Sequence, residues 1–435
     1  MTTTISQASK AMQKVLYKRA NEIAEKSPFF ERQRQVTGSS FVRGLVFGWI
    51  NDPQATLDTL SQSIGNAGTP ITRQGLHKRF TVEASDFLYK VLHESLSEVV
   101  SAMPVERGLL SQFTHVELLD SSQIELPDEL ENIWLGSGGY VKGKTSSAIK
   151  LNVRWDVRTG ELCELDLSDG RQHDGKSSIQ YATMPKGSLR IADLGYWKLN
   201  VLKRIADEGS YWLTRYKTGT IICDEQGQII DLLDALPRQV GKQVEWQVHL
   251  GKQAQIPCRL VAERVPEHVV KQRHERLDET ARRRERPFSD AVYEMAKWTI
   301  YLTNVPQKML TIAQVLALGH YRWQIELLFK LWKSELEVNQ WRTQNPQRIL
   351  CELYAKLIGV IVTHWLLLVG TWYNPQRSFI RSMGAIRGLA WQFANSIPSD
   401  GALQHALEAL IRSLSACRLE QTKTFTPSSK QVQAA

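Results

Sequence analysis

The hydrophobic period of this chain changes twice, and those changes restrict the fold more than any other feature. Up to about residue 110 the apolar residues recur every three to four positions, as in "FVRGLVFGWI" and "SDFLYKVLHESLSEVVSAM", which predicts helices separated by turns. From "FTHVELLDSSQIELP" onward the period shortens toward two. "AIKLNVRWDVRTGELCELDLSDG" alternates on both sides of "RTGE" and reads as a hairpin. "SLRIADLGYWKL" is a third strand ending near Asp193, and "GSYWLTRYKTGTII" is a fourth after a short helix. The order strand, hairpin, strand, helix, strand predicts an α/β protein with a mixed sheet flanked by helices.

Between residues 223 and 296 the pattern loosens. "GKQVEWQVHLGKQAQIPCRLVAERV" alternates like antiparallel strands, and the Arg-rich "KQRHERLDETARRRERPFSDA" follows as a basic connector, so this segment is expected to be a β-rich insertion. "WTIYLTNVP" returns to a buried strand, and from Ile312 the chain reads helical. The expected organisation is therefore a helical N-terminal DNA-binding domain over 1–110, a catalytic core over 111–222 and 297–372, the insertion between them, and a helical region over 373–435. "LIGVIVTHWLLLVGTWY", from Leu357 to Tyr373, approaches membrane-spanning length, but Thr363 and His364 interrupt it, and a buried helix is the expectation.

Charge then narrows the partners. The formal net charge of +9 and a pI near 9.2 favour an anionic partner, with nucleic acid ahead of a membrane surface. Five widely spaced cysteines, with no CxxC pair, speak against a zinc or redox site and suit a reducing cytoplasm; the first residues hold no apolar run of signal-peptide length. "GGYVKGKT", residues 138 to 145, fits the phosphate-loop pattern letter for letter. That loop needs a strand before it and a helix directly after it, and "SSAIKLNVRWDV" behind it is strand-like, so nucleotide hydrolysis is not expected.

Candidate chemistry comes from three acids. Asp120 in "LLDSS" and Asp193 in "IADLGY" each stand at the expected end of a buried strand. Aspartates there serve equally as turn caps. Two carboxylates on neighbouring strand ends repel one another unless a hard cation such as Mg²⁺ lies between them. In "HYRWQIELLFKLWK", Arg322, Glu326, Lys330 and Lys333 fall on one helical stripe, so Glu326 can complete a metal site while the bases take phosphates. The alternative is a ladder of i,i+4 ion pairs on a solvated face. Trp323, Leu327, Leu331 and Trp332 are expected to pack against the sheet. In the N-terminal part "GTPITRQGLHKRFT" suggests a helix starting at Thr69–Pro70 that presents Arg73, His77, Lys78 and Arg79 to DNA, or simply a solvated basic face.

Taken in order, "LLDSSQIELP", "IADLGYW" with "YWLTRYK", and "YRWQIELLFKLWK" resemble the DDE transposases of the insertion-sequence-four family over roughly residues 35 to 370. The resemblance implies a ribonuclease-H-like core interrupted by a β-rich insertion, and a cut-and-paste reaction on DNA through a hairpin intermediate. It implies Asp120, Asp193 and Glu326 as catalytic metal ligands for two Mg²⁺ per site, with Mn²⁺ as a substitute. The partners it implies are the terminal inverted repeats and target DNA, held by a homodimer on paired ends; the setting is a bacterial-type cytoplasm, at the nucleoid when DNA-bound, with no membrane. The family's helix signature runs Tyr, two residues, Arg, three residues, Glu, six residues, Lys, which Arg322, Glu326 and Lys333 match. Its tyrosine position is Gly319, and Tyr321 lies two residues later. Arg215 in "YWLTRYK" is a further expected DNA contact, and Trp298 matches a position where an aromatic stacks on a flipped base, unless it is a core residue. A non-catalytic DNA-binding regulator and a nuclease on the same core are the rival readings.

Overall fold

The computed structural model describes residues 2–30, 36–104, 108–136, 146–370, 372 and 378–417. Residues 138–145, with the phosphate-loop look-alike, lie outside them save for the strand that follows at Ser147, where a nucleotide loop would need a helix.

Nine strands form one sheet: β1 Val116–Leu126, β2 Ser147–Asp156, β3 Leu162–Asp169, β4 Leu189–Ala192, β5 Tyr211–Arg215, β6 Ile222–Cys223, β7 Gln243–Leu250, β8 Ile256–Arg264 and β9 Trp298–Thr303. Their spatial order is β3-β2-β1-β4-β5-β9-β8-β7-β6. The pairs β1/β4 and β4/β5 are parallel, and every other neighbouring pair is antiparallel. The expected insertion is thus not a separate sheet. Its strands β7 and β8 continue the central sheet through β9. Nor is it purely β: "KQRHERLDETARRR" lies in an 18-residue helix, with Arg273 anchored to the carbonyls of Ala296 and Trp298.

The main helices are α1 Thr2–Gln13, α2 Gly38–Asn51, α3 Leu57–Asn66, α4 Arg73–His77, α5 Val82–Leu96, α6 Leu199–Asp207, α7 Glu267–Arg284, α8 Ile312–Tyr321, α9 Trp323–Glu335, α10 Pro346–Gly370, α11 Phe379–Gly388 and α12 Asp400–Ser415. Alternation along the strands sends side chains to two cores. Leu118, Ile191, Leu213 and Tyr301 face the larger one, which α10 and the N-terminal helices fill. Trp212, Ile300 and Leu302 face the smaller one, closed by Val201, Leu202 and Ile205 of α6. The sheet is therefore sandwiched between helical layers.

α10 is long and apolar enough to cross a membrane by length and composition, yet its apolar window is buried in protein. It packs against α1, α2, α5, α11 and α12, so N- and C-terminal helices share one core. Its Glu352 and Lys356 pair at 2.8 Å, and the Lys356 ammonium also donates to the carbonyls of Glu337 and Gln340. The charged groups inside this helix are thereby satisfied internally.

Candidate active site

Parallel pairing of β1 with β4 matches Leu119 with Ala192, so the next residues, Asp120 and Asp193, emerge side by side. Asp120 was expected at a strand end. Instead β1 runs on to Leu126, paired only with β2, and it is β4 that stops. Asp193 caps the turn Leu194–Tyr196, accepting the Gly195 N–H at 3.4 Å, while Asp120 accepts the Ser121 N–H at 2.8 Å. Beneath them the buried Glu117 pairs with Arg154 at 2.8 Å and Arg190 at 2.9 Å, locking β1 between β2 and β4.

The third acid comes from α9. At the junction of α8 and α9 the Arg322 guanidinium reaches Asp120 Oδ2 at 2.5 Å, Asp193 Oδ1 at 3.8 Å and Glu326 Oε1 at 2.5 Å. Three carboxylates from two strands and a helix thus converge on one cation. Burial pushes the Asp120 carboxyl up to about 7, Arg322 opposes this, and repulsion from Asp193 and Glu326 adds to it. Burial works against the charge on Arg322 too, but the three acids outweigh it and raise its pKa. Because the guanidinium stands among the acids, no three His, Cys, Asp or Glu side chains among the described residues are grouped closely enough to hold an ion. The donors themselves suit a hard divalent cation: three carboxylates, no nitrogen or sulfur ligand, and a positive group already in their midst.

A fourth acid, which sequence reasoning missed, braces this arrangement. Asp174 Oδ1 accepts from Ser121 Oγ and from Lys150 Nζ, both at 2.9 Å. Its other oxygen lies against Gly195, where a Cβ would come within 2.2 Å of it. One carboxylate therefore ties the residue after Asp120 to the turn that Asp193 caps. The available signal was the glycine in "IADLGYW", two residues after the acid, but its partner lies in a loop that periodicity does not place.

The other expected DNA contacts divide. Lys330 is exposed; Lys333 is half-buried, donating to the Gln123 carbonyl of β1 at 2.9 Å, and burial lowers its pKa. Arg215 is exposed at the end of β5. Arg73, His77 and Lys78 point to solvent from the five-residue α4, whose N-cap is Thr72, so the helix begins later than Thr69–Pro70. Arg79 is half-buried and stacks over Phe29. Two expectations are corrected. Trp298 is only 6% exposed, its indole N–H donates to the Pro237 carbonyl, and Arg264 covers its ring at 4.5 Å, so it presents no face to a base. Tyr321 packs against the larger core, where burial pushes its phenol up to about 12. The inward face of α9 also differs: Ile325, Leu328, Phe329 and Trp332 are buried, whereas Trp323 (51% exposed) and Leu327 (43%) face solvent.

A mixed α/β fold that gathers carboxylates from parallel strand ends and a crossing helix, in a basic chain, defines a protein built around a carboxylate centre. Residues 112–361, which include all three acids, match the family described as Transposase DDE domain. The chain belongs to this family, the DDE transposases of insertion-sequence-four type, enzymes that cleave DNA and transfer its strands. It is 28% identical over 368 residues to the transposase for insertion sequence element IS231F of Bacillus thuringiensis subsp. israelensis, covering 78% of this chain and 75% of that protein. It is 27% identical to the transposase for IS1151 of Clostridium perfringens, covering 79% and 76%. A putative transposase InsL for IS186A of Escherichia coli (strain K12) is 26% identical over 236 residues, covering 52% and 63%.

Proposed function

We propose that this protein is the transposase of an insertion sequence, binding the element's terminal inverted repeats and catalysing metal-dependent cleavage and strand transfer on a ribonuclease-H-like core. The observation that carries the reading is the convergence of Asp120, Asp193 and Glu326 on the single guanidinium of Arg322. Asp120 and Asp193 would hold two Mg²⁺ between them or share one, and Glu326 would close the second position; Mn²⁺ has the same donor preference. Bound there, the cations would supply activation of an attacking oxygen and neutralisation of charge at phosphorus.

The chain's own residues then have defined work. Arg322 leaves the acids and meets the phosphate beside the scissile bond, where its planar fork suits two phosphate oxygens. Lys333 stands beside β1 and Lys330 on the exposed edge of the same helix, adding charge along the strand. In the first reaction a water oxygen bonds to phosphorus, the bond from phosphorus to the 3′ oxygen breaks, and a 3′-hydroxyl remains at the transposon end. That hydroxyl next attacks phosphorus on the opposite strand, forming a hairpin, or in target DNA, joining the element to it. Arg73, His77 and Lys78 on α4 would grip the terminal repeat, and two copies would hold the paired ends.

A supercoiled plasmid carrying the matching terminal repeats, with Mg²⁺, tests the proposal. Excision followed by joining is the expected result. Cutting without preference for the ends would instead mean a nuclease, and end binding without cutting a regulator.

A further inference from the structure

The signature on the catalytic helix lacks its tyrosine, since position 319 is glycine. The space a side chain would take there is filled from elsewhere in the chain. A Cβ built on Gly319 would lie 2.2 Å from Cζ, 2.4 Å from Cε1 and 2.6 Å from Cε2 of Tyr301. The phenol ring of Tyr301 thus rests directly on the helix backbone, one turn before Arg322. Only glycine permits that approach.

Tyr301 also belongs to the row of residues that carries the acids. Leu119 pairs with Ala192, Ile191 with Leu213, and Arg215 with Tyr301. Extended by one or two residues, these registers place Asp120, Asp193, Arg215 and Tyr301 in a single transverse row across β1, β4, β5 and β9. Residues in such a row project from the same face of a sheet. Leu118, Ile191, Leu213 and Tyr301 indeed line one core, the face that α8 covers. The ring is 4% exposed, and its edge meets the ring of His320 at 6.3 Å. Among the described residues the hydroxyl makes no hydrogen bond, yet it is not among the polar atoms shut off from solvent. The charges of Arg215 and Arg322 both act on it, pulling against the burial that raises its pKa. A rigidly packed phenol with an unused donor, between two guanidinium groups at the head of the acid row, is placed for an anion.

We infer that Tyr301, carried on β9 into the space that Gly319 leaves open, is a DNA-contacting residue of the active site whose hydroxyl donates to a phosphate oxygen of the strand being cut, beside Arg322. The inference rests on the proposed reading of the carboxylate site. It explains why Tyr321 can turn into the core at no loss to the site: the hydroxyl comes from a strand rather than from the helix.

Tyr301→Phe removes the hydroxyl and keeps the ring over Gly319. In single-turnover cleavage of a terminal-repeat duplex with Mg²⁺, the variant should be slower by about tenfold to a hundredfold, the scale of one hydrogen bond to a charged group. A second measurement needs no catalysis. In metal-free binding, replacing the scissile phosphate by an uncharged methylphosphonate should weaken wild type by a larger factor than Tyr301→Phe, because the two changes remove the same contact. Since each protein is compared with itself, a modest loss of stability in the variant does not enter. A double variant, Tyr301→Ala with Gly319→Tyr, should regain cleavage relative to Tyr301→Ala alone. Equal cleavage by wild type and Tyr301→Phe, or equal sensitivity to the methylphosphonate, would overturn the inference. Failure of wild type itself to cut terminal-repeat DNA would overturn the functional reading instead.

Discussion

Arg322 has two partners to choose between, three acids or a phosphate, and its position among the acids sets a competition with any metal. Replacing it with Gln removes the resident cation while keeping the side chain polar. Without DNA, Arg322→Gln should therefore bind Mn²⁺ about ten- to a hundredfold more tightly than wild type, while DNA cleavage falls. Titration calorimetry or Mn²⁺ spin resonance reads the first effect, and unchanged or weaker binding would count against the competition. Asp174 acts at one remove. Asp174→Asn should weaken Mn²⁺ binding by about ten- to a hundredfold, since groups that orient metal ligands carry effects of that size, and end binding in a gel-shift assay should hold. An unchanged metal affinity would reduce Asp174 to a loop contact. Asp120, Asp193, Arg322 and Glu326 could be read from the sequence because strand ends and helical spacing announce them. Asp174 and Tyr301 could not, because each meets the site through a glycine distant in the chain, Gly195 or Gly319, and no local pattern records such an approach.

Among the elements, α9 shows most clearly where pattern reading reaches its limit. The stripe of Arg322, Glu326 and Lys333 was legible, but all of its apolar residues were assigned to the inside. A helix lying across strand ends buries only one side, and here that side carries Ile325, Leu328, Phe329 and Trp332. Trp323→Ala or Leu327→Ala should change folding stability by no more than about 0.5 kcal/mol, whereas Phe329→Ala should cost about 3–5 kcal/mol by leaving a cavity. Chemical denaturation separates the two groups; a large loss at Trp323 would contradict the exposed face. β1 teaches a related lesson. The polar run "DSSQ" reads as a turn, yet β2 pairs with it throughout, so tertiary pairing overrides local composition.

For the molecule as a whole, α10 is the element around which the helical layers close. Its His364 is buried and donates from Nε2 to the Gly160 carbonyl at 2.6 Å, linking the helix to the β2–β3 hairpin. Burial depresses its pKa to about 4, with the bond to Gly160 opposing. The unfolded chain binds a proton at this side chain below about pH 6.5, while the folded chain resists until about pH 4. Stability should accordingly fall as pH drops through that window, and the fall should be shallower in His364→Gln; equal slopes in denaturant titrations at pH 7 and pH 5 would assign the effect elsewhere. The nine-stranded sheet was only partly legible for a comparable reason. Alternation identifies β7 and β8 as strands, but nothing local says that they join the core sheet through β9 rather than form one of their own.

The central claim, that three carboxylates gathered by the fold carry a metal-dependent cleavage of DNA, is tested most directly by single-turnover cutting of a terminal-repeat duplex in Mg²⁺ by Asp120→Ala, Asp193→Ala and Glu326→Ala, with end binding measured alongside. Each variant should bind the ends nearly as wild type does and cut them on the order of a thousandfold more slowly, since a metal site supplies several kcal/mol of transition-state stabilisation. Cutting by any one of the three at a rate within about tenfold of wild type would contradict the account.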